Sequence, residues 1–211
     1  MLLISRLATL RGAPSDLLPI AIGLCDRASE VSGLDISLWA GGAGYPTGTM
    51  VWSAAVESQA QFAEATQPLL ADATYNDLAR NLIAHASGDT QQVVRQLIAP
   101  EAPPEAPLEV GAAVWVVTAQ IANGHLADGM AWAVHIADVA GEATGSQVGV
   151  FRDMFGPWGT VTWLTGFDGM AGVDDAMAKL GASEPYLADL DKGASFFNPG
   201  SATSGIVSRV H

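Results

Sequence analysis

Residues 46–75 read PTGTMVWSAAVESQAQFAEATQPLLADATY, and residues 157–186, which lie 111 positions later, read PWGTVTWLTGFDGMAGVDDAMAKLGASEPY. Aligned without a gap, the two stretches share nine identical residues in thirty, where chance would give about two or three. The rarer residue types among the matches are Gly48 with Gly159, Trp52 with Trp163 and Tyr75 with Tyr186. The spacing predicts an internal duplication; chance similarity between alanine-rich helices is the alternative.

A proline-rich segment lies at the midpoint of the 211 residues. Between Ala99 and Gly111, four prolines and three glutamates occur without a pattern of buried residues. This composition is typical of an extended polyproline connector. We therefore expect a first repeat over residues 1–99, a linker over 100–110 and a second repeat over 111–211.

Both repeats show the same predicted order of elements, βαββαβ. Alternating apolar residues predict strands, and an apolar period of 3.6 residues predicts helices. The first repeat has expected strands at 2–10, 34–39, 49–55 and 91–98, and expected helices at 15–31, 57–70 and 75–84. The second repeat has expected strands at 112–121, 148–152, 160–167 and 205–210, and expected helices at 125–141 and 173–190.

This order of elements is that of the ferredoxin-like unit, an antiparallel four-stranded sheet with helices on one face. The other face of such a sheet is left bare and must be buried or remain an apolar patch. Two units in one chain can bury their open faces against each other. The duplication therefore predicts the α+β class, with two tandem ferredoxin-like units forming an α+β barrel within the chain.

Three features carry a family resemblance: the returning hairpin GTVTWLTGF at 159–167, the acid-started helix at Asp168 and the segment ASEPYL at 182–187, with counterparts at 48–56 and 71–75. In these features the chain resembles the dimeric α+β barrel superfamily, especially its NIPSNAP-like and EthD-like members. The resemblance implies the barrel fold. It also implies a choice of activities that includes cofactor-independent monooxygenases, polyketide cyclases, haem-degrading enzymes and decarboxylases. No catalytic motif of the superfamily matches this chain residue by residue.

Composition excludes several classes of function. The 22 acidic residues and 9 basic residues give a net charge of −13, which repels nucleic acids and anionic membranes. The single cysteine, Cys25, excludes an internal disulfide and a multi-cysteine metal site. Arg6 and Arg11 interrupt the apolar N-terminus, so no secretory signal is expected and a cytoplasmic location is predicted.

Cofactor signatures are missing from the sequence. The glycines at 41–44 follow a predicted strand as a hairpin turn, and no phosphate-binding loop with its lysine occurs. The four histidines are scattered without metal-ligand spacing. No metal and no cofactor are therefore expected. Haem is not excluded, since His135 could be an axial ligand, although a half-buried structural histidine is the alternative.

The second hairpin contains the candidate catalytic residues. Arg152 could bind a carboxylate or enolate and Asp153 could act as a base, while Phe151 and Trp158 would line the ligand. The alternative is a surface ion pair between Arg152 and Asp153 beside an aromatic plug.

Strand residues that face the barrel lumen are the candidate ligand-binding residues. Trp39 and Trp115 could provide flat apolar walls, with Ser37 and Thr162 as polar groups, whereas core packing is favoured for the repeat-matched Trp52 and Trp163.

Two further pairs leave both a functional and a structural interpretation open. Arg95 and Arg209 interrupt the apolar last strand of each repeat, where they could meet an anionic ligand or be exposed edge charges. Tyr75 and Tyr186 could pack at the end of the sheet or donate a proton.

The sequence thus favours a barrel that binds a small apolar or aromatic molecule between its two sheets, with cofactor-independent monooxygenase or cyclase chemistry as the catalytic hypothesis. The alternative is a non-catalytic scaffold or oligomerisation protein of the same fold, such as a homodimer.

Overall fold

The computed structural model of the chain describes residues 1–101 and 108–211. Eight strands and six helices follow one another in two similar series. The strands are β1 (Leu2–Thr9), β2 (Ile36–Gly41), β3 (Thr49–Val56), β4 (Gln91–Ala99), β5 (Ala113–Gln120), β6 (Val148–Asp153), β7 (Thr160–Phe167) and β8 (Thr203–Arg209). The helices are α1 (Pro14–Ser32), α2 (Gln59–Thr66), α3 (Ala73–Ala84), α4 (Leu126–Thr144), α5 (Met170–Ala182) and α6 (Glu184–Gly193).

The chain folds as two compact units, residues 1–94 with 209–211 and residues 95–208. We call them unit 1 and unit 2. Their boundaries fall inside β4 and β8. The repeats expected over 1–99 and 111–211 stay a prediction. In unit 1, Val94 packs with the apolar cluster around Leu2 and Ile4. In unit 2, Arg95 is the register partner of Asp153 in β6.

In unit 1, β3 lies between β1 and β2 and is antiparallel to both. Side chains alternate across a strand, so one face of this sheet packs against α1 and α3. The core between the sheet and these helices contains Leu10, Leu17, Cys25, Leu38, Met50 and Leu82. At the end of the chain, the carbonyl of Leu38 accepts backbone hydrogen bonds from Val210 and His211.

Unit 2 has the same arrangement, with β7 between β5 and β6. The strand β8 is antiparallel to β5 on its other side. The helix-facing core contains Ile121, Ala133, Ala137, Val150 and Val161, with a neighbouring cluster around Phe167 and Val173.

The helix expected over 173–190 is corrected by the structure. It begins earlier, at Met170, and is divided at Ser183 into α5 and α6. The side chain of Ser183 accepts a hydrogen bond from the backbone N–H of Tyr186, and Pro185 stands in the first turn of α6. A serine N-cap followed by proline starts a new helix, because proline needs no backbone donor bond there.

The first repeat divides its corresponding helix in the same way. The helix expected over 57–70 is α2 followed by a short 3-10 helix at 67–71. Asp72 then caps α3 by accepting from the N–H of Tyr75. A break before the matched tyrosine is thus common to both repeats.

The matched glycines explain part of the conserved spacing between the repeats. Gly48 has φ +88°, and a Cβ there would lie 2.2 Å from the carbonyl oxygen of Leu10. Gly159 has φ +80°, and its Cβ would lie 3.1 Å from the carbonyl oxygen of Ile121. Both glycines accept a 2.9 Å backbone hydrogen bond from the same residue that they approach. Only glycine combines this φ with so close an approach.

The matched tryptophans also make the same contact. The indole N–H of Trp52 donates to the carbonyl of Ala21 in α1 at 3.4 Å. That of Trp163 donates to the carbonyl of Ala133 in α4 at 2.9 Å. Each tryptophan thus joins the central strand of its sheet to the first helix of its repeat.

Within unit 1 the strands follow the order β1-β3-β2, and within unit 2 they follow the order β8-β5-β7-β6-β4, with β4 represented by its residues from Arg95 onward. The α+β fold class expected from the duplication is confirmed. The linker predicted over 100–110 lies largely outside the described residues, which omit 102–107. Within the described ranges, no helix is both long and apolar enough to cross a membrane.

Candidate functional site

Unit 1 contains a cavity of about 940 Å³ between its sheet and its helices. Ligand pockets of proteins typically measure about 300 to 1,000 Å³, so this one is large enough for a molecule with several fused rings. Its walls are mostly apolar. They include Ile4, Ala8, Leu24, Ala28, Trp52, Ala54, Phe62, Leu69, Ala79, Leu82 and Ile83.

The alternation of β1 builds the floor of the cavity. Ile4, Arg6 and Ala8 all line it, as residues two apart on one face of a strand should. Trp52 on β3 is the register partner of Arg6 and lines the same cavity. Tyr75, Ala79 and other residues of α3 form the opposite wall.

Unit 2 has only a small cavity, of about 100 Å³, at the corresponding place. Two of its lining residues, Trp115 and Leu190, stand 111 positions after Ile4 and Ala79 of unit 1. The larger side chains of unit 2 therefore occupy space that unit 1 leaves open.

An aromatic cluster contributes to this filling of unit 2. The ring of Trp132 lies 6.3 Å from that of Trp163 and 5.2 Å from that of Phe197, both edge-on. Edge-to-face rings at such distances attract each other. Gly193 makes room for this cluster, because a Cβ there would lie 2.0 Å from the Trp132 ring.

Polar groups in the cavity of unit 1 are few. The guanidinium of Arg6 donates to the side-chain oxygen of Gln92 at 2.9 Å, and both residues line the cavity together with Tyr75 and Glu64. A small number of polar groups in an apolar pocket is the usual makeup of a site that orients a ligand.

Arg152 and Asp153, the candidates for catalysis, do not pair with each other. Asp153 accepts from Arg95 at 3.3 Å, and the two side chains are only 11% and 15% exposed. Arg152 is exposed and donates to Gln96 at 2.9 Å. Neighbouring strand residues point to opposite faces, so an ion pair between Arg152 and Asp153 is not formed.

The carboxylate of Asp153 belongs to a buried polar chain in unit 2. It also accepts from the hydroxyl of Thr162 at 3.4 Å, and Thr162 lies 3.1 Å from the hydroxyl of Thr118. Burial raises the pKa of Asp153, while the charge of Arg95 and its hydrogen bond oppose that rise. Arg95 is thus the ion-pair partner of Asp153 and not an exposed edge charge.

The aromatic candidates of unit 2 have different surroundings. Phe151 is buried in β6 opposite Leu97. Trp158 is 76% exposed in the β6–β7 turn. Trp115 packs in the helix-facing core of unit 2.

In unit 1, Trp39 donates from its indole N–H to the hydroxyl of Ser53 at 2.8 Å. Ser37 is half-buried in the same strand. Arg209 donates to the carbonyl of His211 at 3.1 Å. The structure does not bring these residues into the cavity of unit 1.

The matched tyrosines lie in comparable positions. Tyr75 lines the cavity of unit 1, and Tyr186 lines the small cavity of unit 2, where burial raises its pKa.

The described residues give little support for a metal or haem site. Among residues 1–101 and 108–211, no group of three potential ligands could hold a metal ion. His135 is exposed and bonded to Asp189 at 2.9 Å, and it is not among the residues lining either cavity. Haem iron takes histidine, cysteine, methionine or tyrosine ligands. Of these types, the described lining of the unit 1 cavity contains only Tyr75, so the residues do not fit a histidine-ligated haem.

The sequence did not predict the cavity of unit 1 or the hydrogen-bonded pair of Arg6 and Gln92 that lines it. It predicted a ligand on the sheet face away from the helices, whereas the cavity of unit 1 lies on the helix-covered face. One signal was present: Arg6 stands in the apolar face of β1, at the position where the second repeat has Val117. That mismatch could have identified Arg6 as a residue that the fold does not require.

No protein-family model matches the sequence, and no curated protein matches it. Solved structures do resemble it. A candidate monooxygenase from Fusobacterium nucleatum has a TM-score of 0.71 and 7% identity, with 100% of this chain and 92% of that chain covered. An anthrone oxidase-like protein has a TM-score of 0.65 and 9% identity, with 100% and 91% covered.

A second candidate monooxygenase, from Lactobacillus acidophilus, has a TM-score of 0.63 and 8% identity, with 100% of this chain and 94% of that chain covered. Two NIPSNAP proteins and an antibiotic biosynthesis monooxygenase align with about half of this chain at TM-scores of only 0.34 to 0.42, and the fold assignment does not rest on them. Identities this low show the fold alone. The fold of this chain is that of the dimeric α+β barrel proteins, as the sequence resemblance implied.

Proposed function

We propose that unit 1 binds a small apolar or aromatic molecule in the cavity between its sheet and its helices. The observation that carries this proposal is the size of the cavity, about 940 Å³, with predominantly apolar walls. The pocket is open to solvent at its rim, and concave apolar surface of this extent is unusual on a protein unless it receives a ligand or partner. A cavity of this size is therefore best explained by an occupant.

The difference between the repeats supports the same proposal. Unit 2 shows that this helix–sheet layer can be closed, because Trp115 and Leu190 reduce its cavity to about 100 Å³. Unit 1 has Ile4 and Ala79 at the matching positions and stays open. The fold does not require the opening, so we expect one ligand site for each chain.

The rim of the cavity offers an apolar entrance. Leu70 is 81% exposed and Ile83 is 65% exposed, and both line the cavity. Exposed apolar side chains grouped at a pocket are typical of sites that receive apolar molecules. A ligand that contacts both residues would bury surface that is otherwise in water.

The proposal can be tested with anthracene-2-carboxamide, a neutral three-ring probe. Titration is followed by calorimetry and by quenching of tryptophan emission, since Trp52 lines the cavity. We expect saturable binding of one molecule per chain. Ala79→Leu introduces the residue that unit 2 carries, and we expect it to weaken binding at least tenfold. Ala73→Leu, an exposed position at the start of α3 that is not among the lining residues, is the matched control.

Two results would contradict the proposal. One is the absence of saturable binding by this probe and by a panel of quinones and aromatic acids. The other is equal binding by the wild type and Ala79→Leu, which would place any ligand elsewhere. The non-catalytic scaffold or homodimer expected as the alternative would then be favoured.

A second candidate function is oxygenation of the bound molecule without a cofactor. Its support is the full-length likeness to two candidate monooxygenases and to an anthrone oxidase-like protein. The test is oxygen uptake with anthrone, which takes up one O₂ and yields anthraquinone and one water. Oxygen uptake above the protein-free rate that falls in Ala79→Leu supports an enzyme. An uptake rate equal to the protein-free rate favours a binding protein. The predicted cytoplasmic location remains a prediction.

A further inference from the structure

Arg6 is a charged residue in an apolar row. Its neighbours on the same face of β1, Ile4 and Ala8, are buried and line the cavity with it. Arg6 itself is exposed, and its surface includes the cavity wall. Because Arg6 is exposed, its guanidinium can stay hydrated while its side chain borders the apolar wall.

The second repeat shows that the fold does not need this charge. Val117 stands 111 residues after Arg6. Val117 is the register partner of Trp163, just as Arg6 is the register partner of Trp52. An apolar side chain therefore satisfies the same structural position in unit 2. The arginine of unit 1 calls for an explanation other than packing.

The partner of Arg6 is neutral. Within residues 1–101 and 108–211, its guanidinium bonds one side chain, the amide oxygen of Gln92. Glu64 lines the same cavity, but no ion pair joins it to Arg6 in the part of the chain that the structure describes. A guanidinium has five N–H donors and binds a planar carboxylate through two of them. The positive charge and most of the donors of Arg6 are thus left for a ligand, and the amide N–H₂ of Gln92 can add another donor.

Trp52 places an aromatic ring beside Arg6 in the wall of the cavity. Directly opposed residues of antiparallel strands have Cβ atoms about 4.5 to 5.5 Å apart, so the indole stands beside the guanidinium on the cavity floor. A ring attached to a carboxylate held by Arg6 would come against the indole, in the offset or edge-on contact that aromatic rings prefer. One floor therefore offers adjacent sites for an anion and for a ring.

We propose that the ligand of unit 1 is an aromatic carboxylate, with its carboxylate bound by Arg6 and Gln92 and its ring system against Trp52. This inference rests on the proposed function, because it concerns the same cavity and adds the chemical class of the occupant. It also names Arg6 as the residue that determines specificity.

The test compares anthracene-2-carboxylate with anthracene-2-carboxamide, two probes of similar shape that differ in charge. We expect the wild type to bind the carboxylate at least tenfold more tightly. Arg6→Val, which introduces the side chain type that unit 2 carries, should reduce this preference to about twofold or less, with most of the loss in carboxylate affinity. Arg6→Gln is a second variant should Arg6→Val fold poorly, which thermal unfolding reports.

Arg152→Val is the matched control, because Arg152 is also an exposed strand arginine that donates to a glutamine amide at 2.9 Å. It should retain the preference for the carboxylate. Equal binding of both probes by the wild type, or an undiminished preference in both Arg6 variants, would overturn the inference while the proposed function stands. If neither probe binds, both fail together.

Discussion

Trp52 and Trp163 make the same helix contact in two different surroundings, so replacing each by phenylalanine should have unequal effects. Trp163→Phe removes a 2.9 Å hydrogen bond to Ala133 and truncates a ring that packs against Trp132 and Phe197. Trp52→Phe removes a longer, 3.4 Å bond to Ala21 from a ring that borders the open cavity.

The magnitudes follow from these contacts. A net hydrogen bond contributes about 1 kcal/mol. The lost part of the indole, about 40 Å² of apolar surface, contributes about 1 kcal/mol where it is fully buried, and the lost ring contacts contribute about 0.5 kcal/mol. Trp163→Phe should therefore cost about 2.5 kcal/mol. Trp52→Phe should cost about 1 kcal/mol, because its bond is weaker and its ring has open space on one side.

Thermal unfolding followed by circular dichroism measures the difference. For a chain of this size 1 kcal/mol corresponds to about 2 to 4 °C in Tm, so we expect a decrease of about 5 to 10 °C for Trp163→Phe and of about 2 to 4 °C for Trp52→Phe. Trp158→Phe, at an exposed ring, is the control and should change Tm by less than about 2 °C, the usual effect of a surface substitution. Equal decreases for Trp52→Phe and Trp163→Phe would refute the argument that unit 2 is filled where unit 1 is open.

Two further predictions concern a turn and an ion pair. Gly48→Ala should lower the free energy of unfolding in urea by more than about 2 kcal/mol, because it adds a clash with Leu10 to the strain of positive φ. Gly33→Ala, at φ +68° with nothing within 4 Å, should lower it by about 1 kcal/mol. Equal losses in the two variants would contradict the clash. Hydrogen bonds from Arg27 and from the Tyr75 N–H lower the pKa of Asp72 to about 2. The ionised Asp72 carboxylate therefore stabilises the fold fully above the unfolded-state pKa near 4, and this stabilisation is lost as the pH falls towards 2. The Tm of Asp72→Asn, which retains a capping side chain, should therefore fall less than that of the wild type between pH 5 and pH 2.5. The Tm of Asp77→Asn, the control, should fall as much as that of the wild type. An equal fall for Asp72→Asn and the wild type would contradict the stabilising role of the Asp72 carboxylate.

The sequence predicted the fold because the matched residues are those that the fold needs in both halves. Gly48 and Gly159 close the same turn, and Trp52 and Trp163 join sheet to helix in the same way. Such positions tolerate little change, so they remained recognisable as identities. The division at Ser183 was less visible, since a cap and a proline interrupt an apolar pattern that continues on both sides.

The site was not predicted, because it depends on differences between the repeats and on long-range pairing. The cavity arises where Ile4 and Ala79 replace bulkier side chains, and an alignment shows these positions only as mismatches. The partner of Asp153 is Arg95, 58 residues away, and only the strand register brings them together. The size of the cavity also depends on the distance between the helices and the sheet, which a single sequence does not specify.

The unequal filling of the two helix–sheet layers has an evolutionary consequence. When two identical chains associate, every substitution appears twice, and a change that improves one binding site alters the other as well. Fusion of two copies in one chain removes this constraint. One copy could then acquire tryptophans that add stability, while the other retained the open space and a charge that stability alone would not favour. Covalent duplication thus allows one half to compensate for the destabilising features that ligand recognition needs in the other.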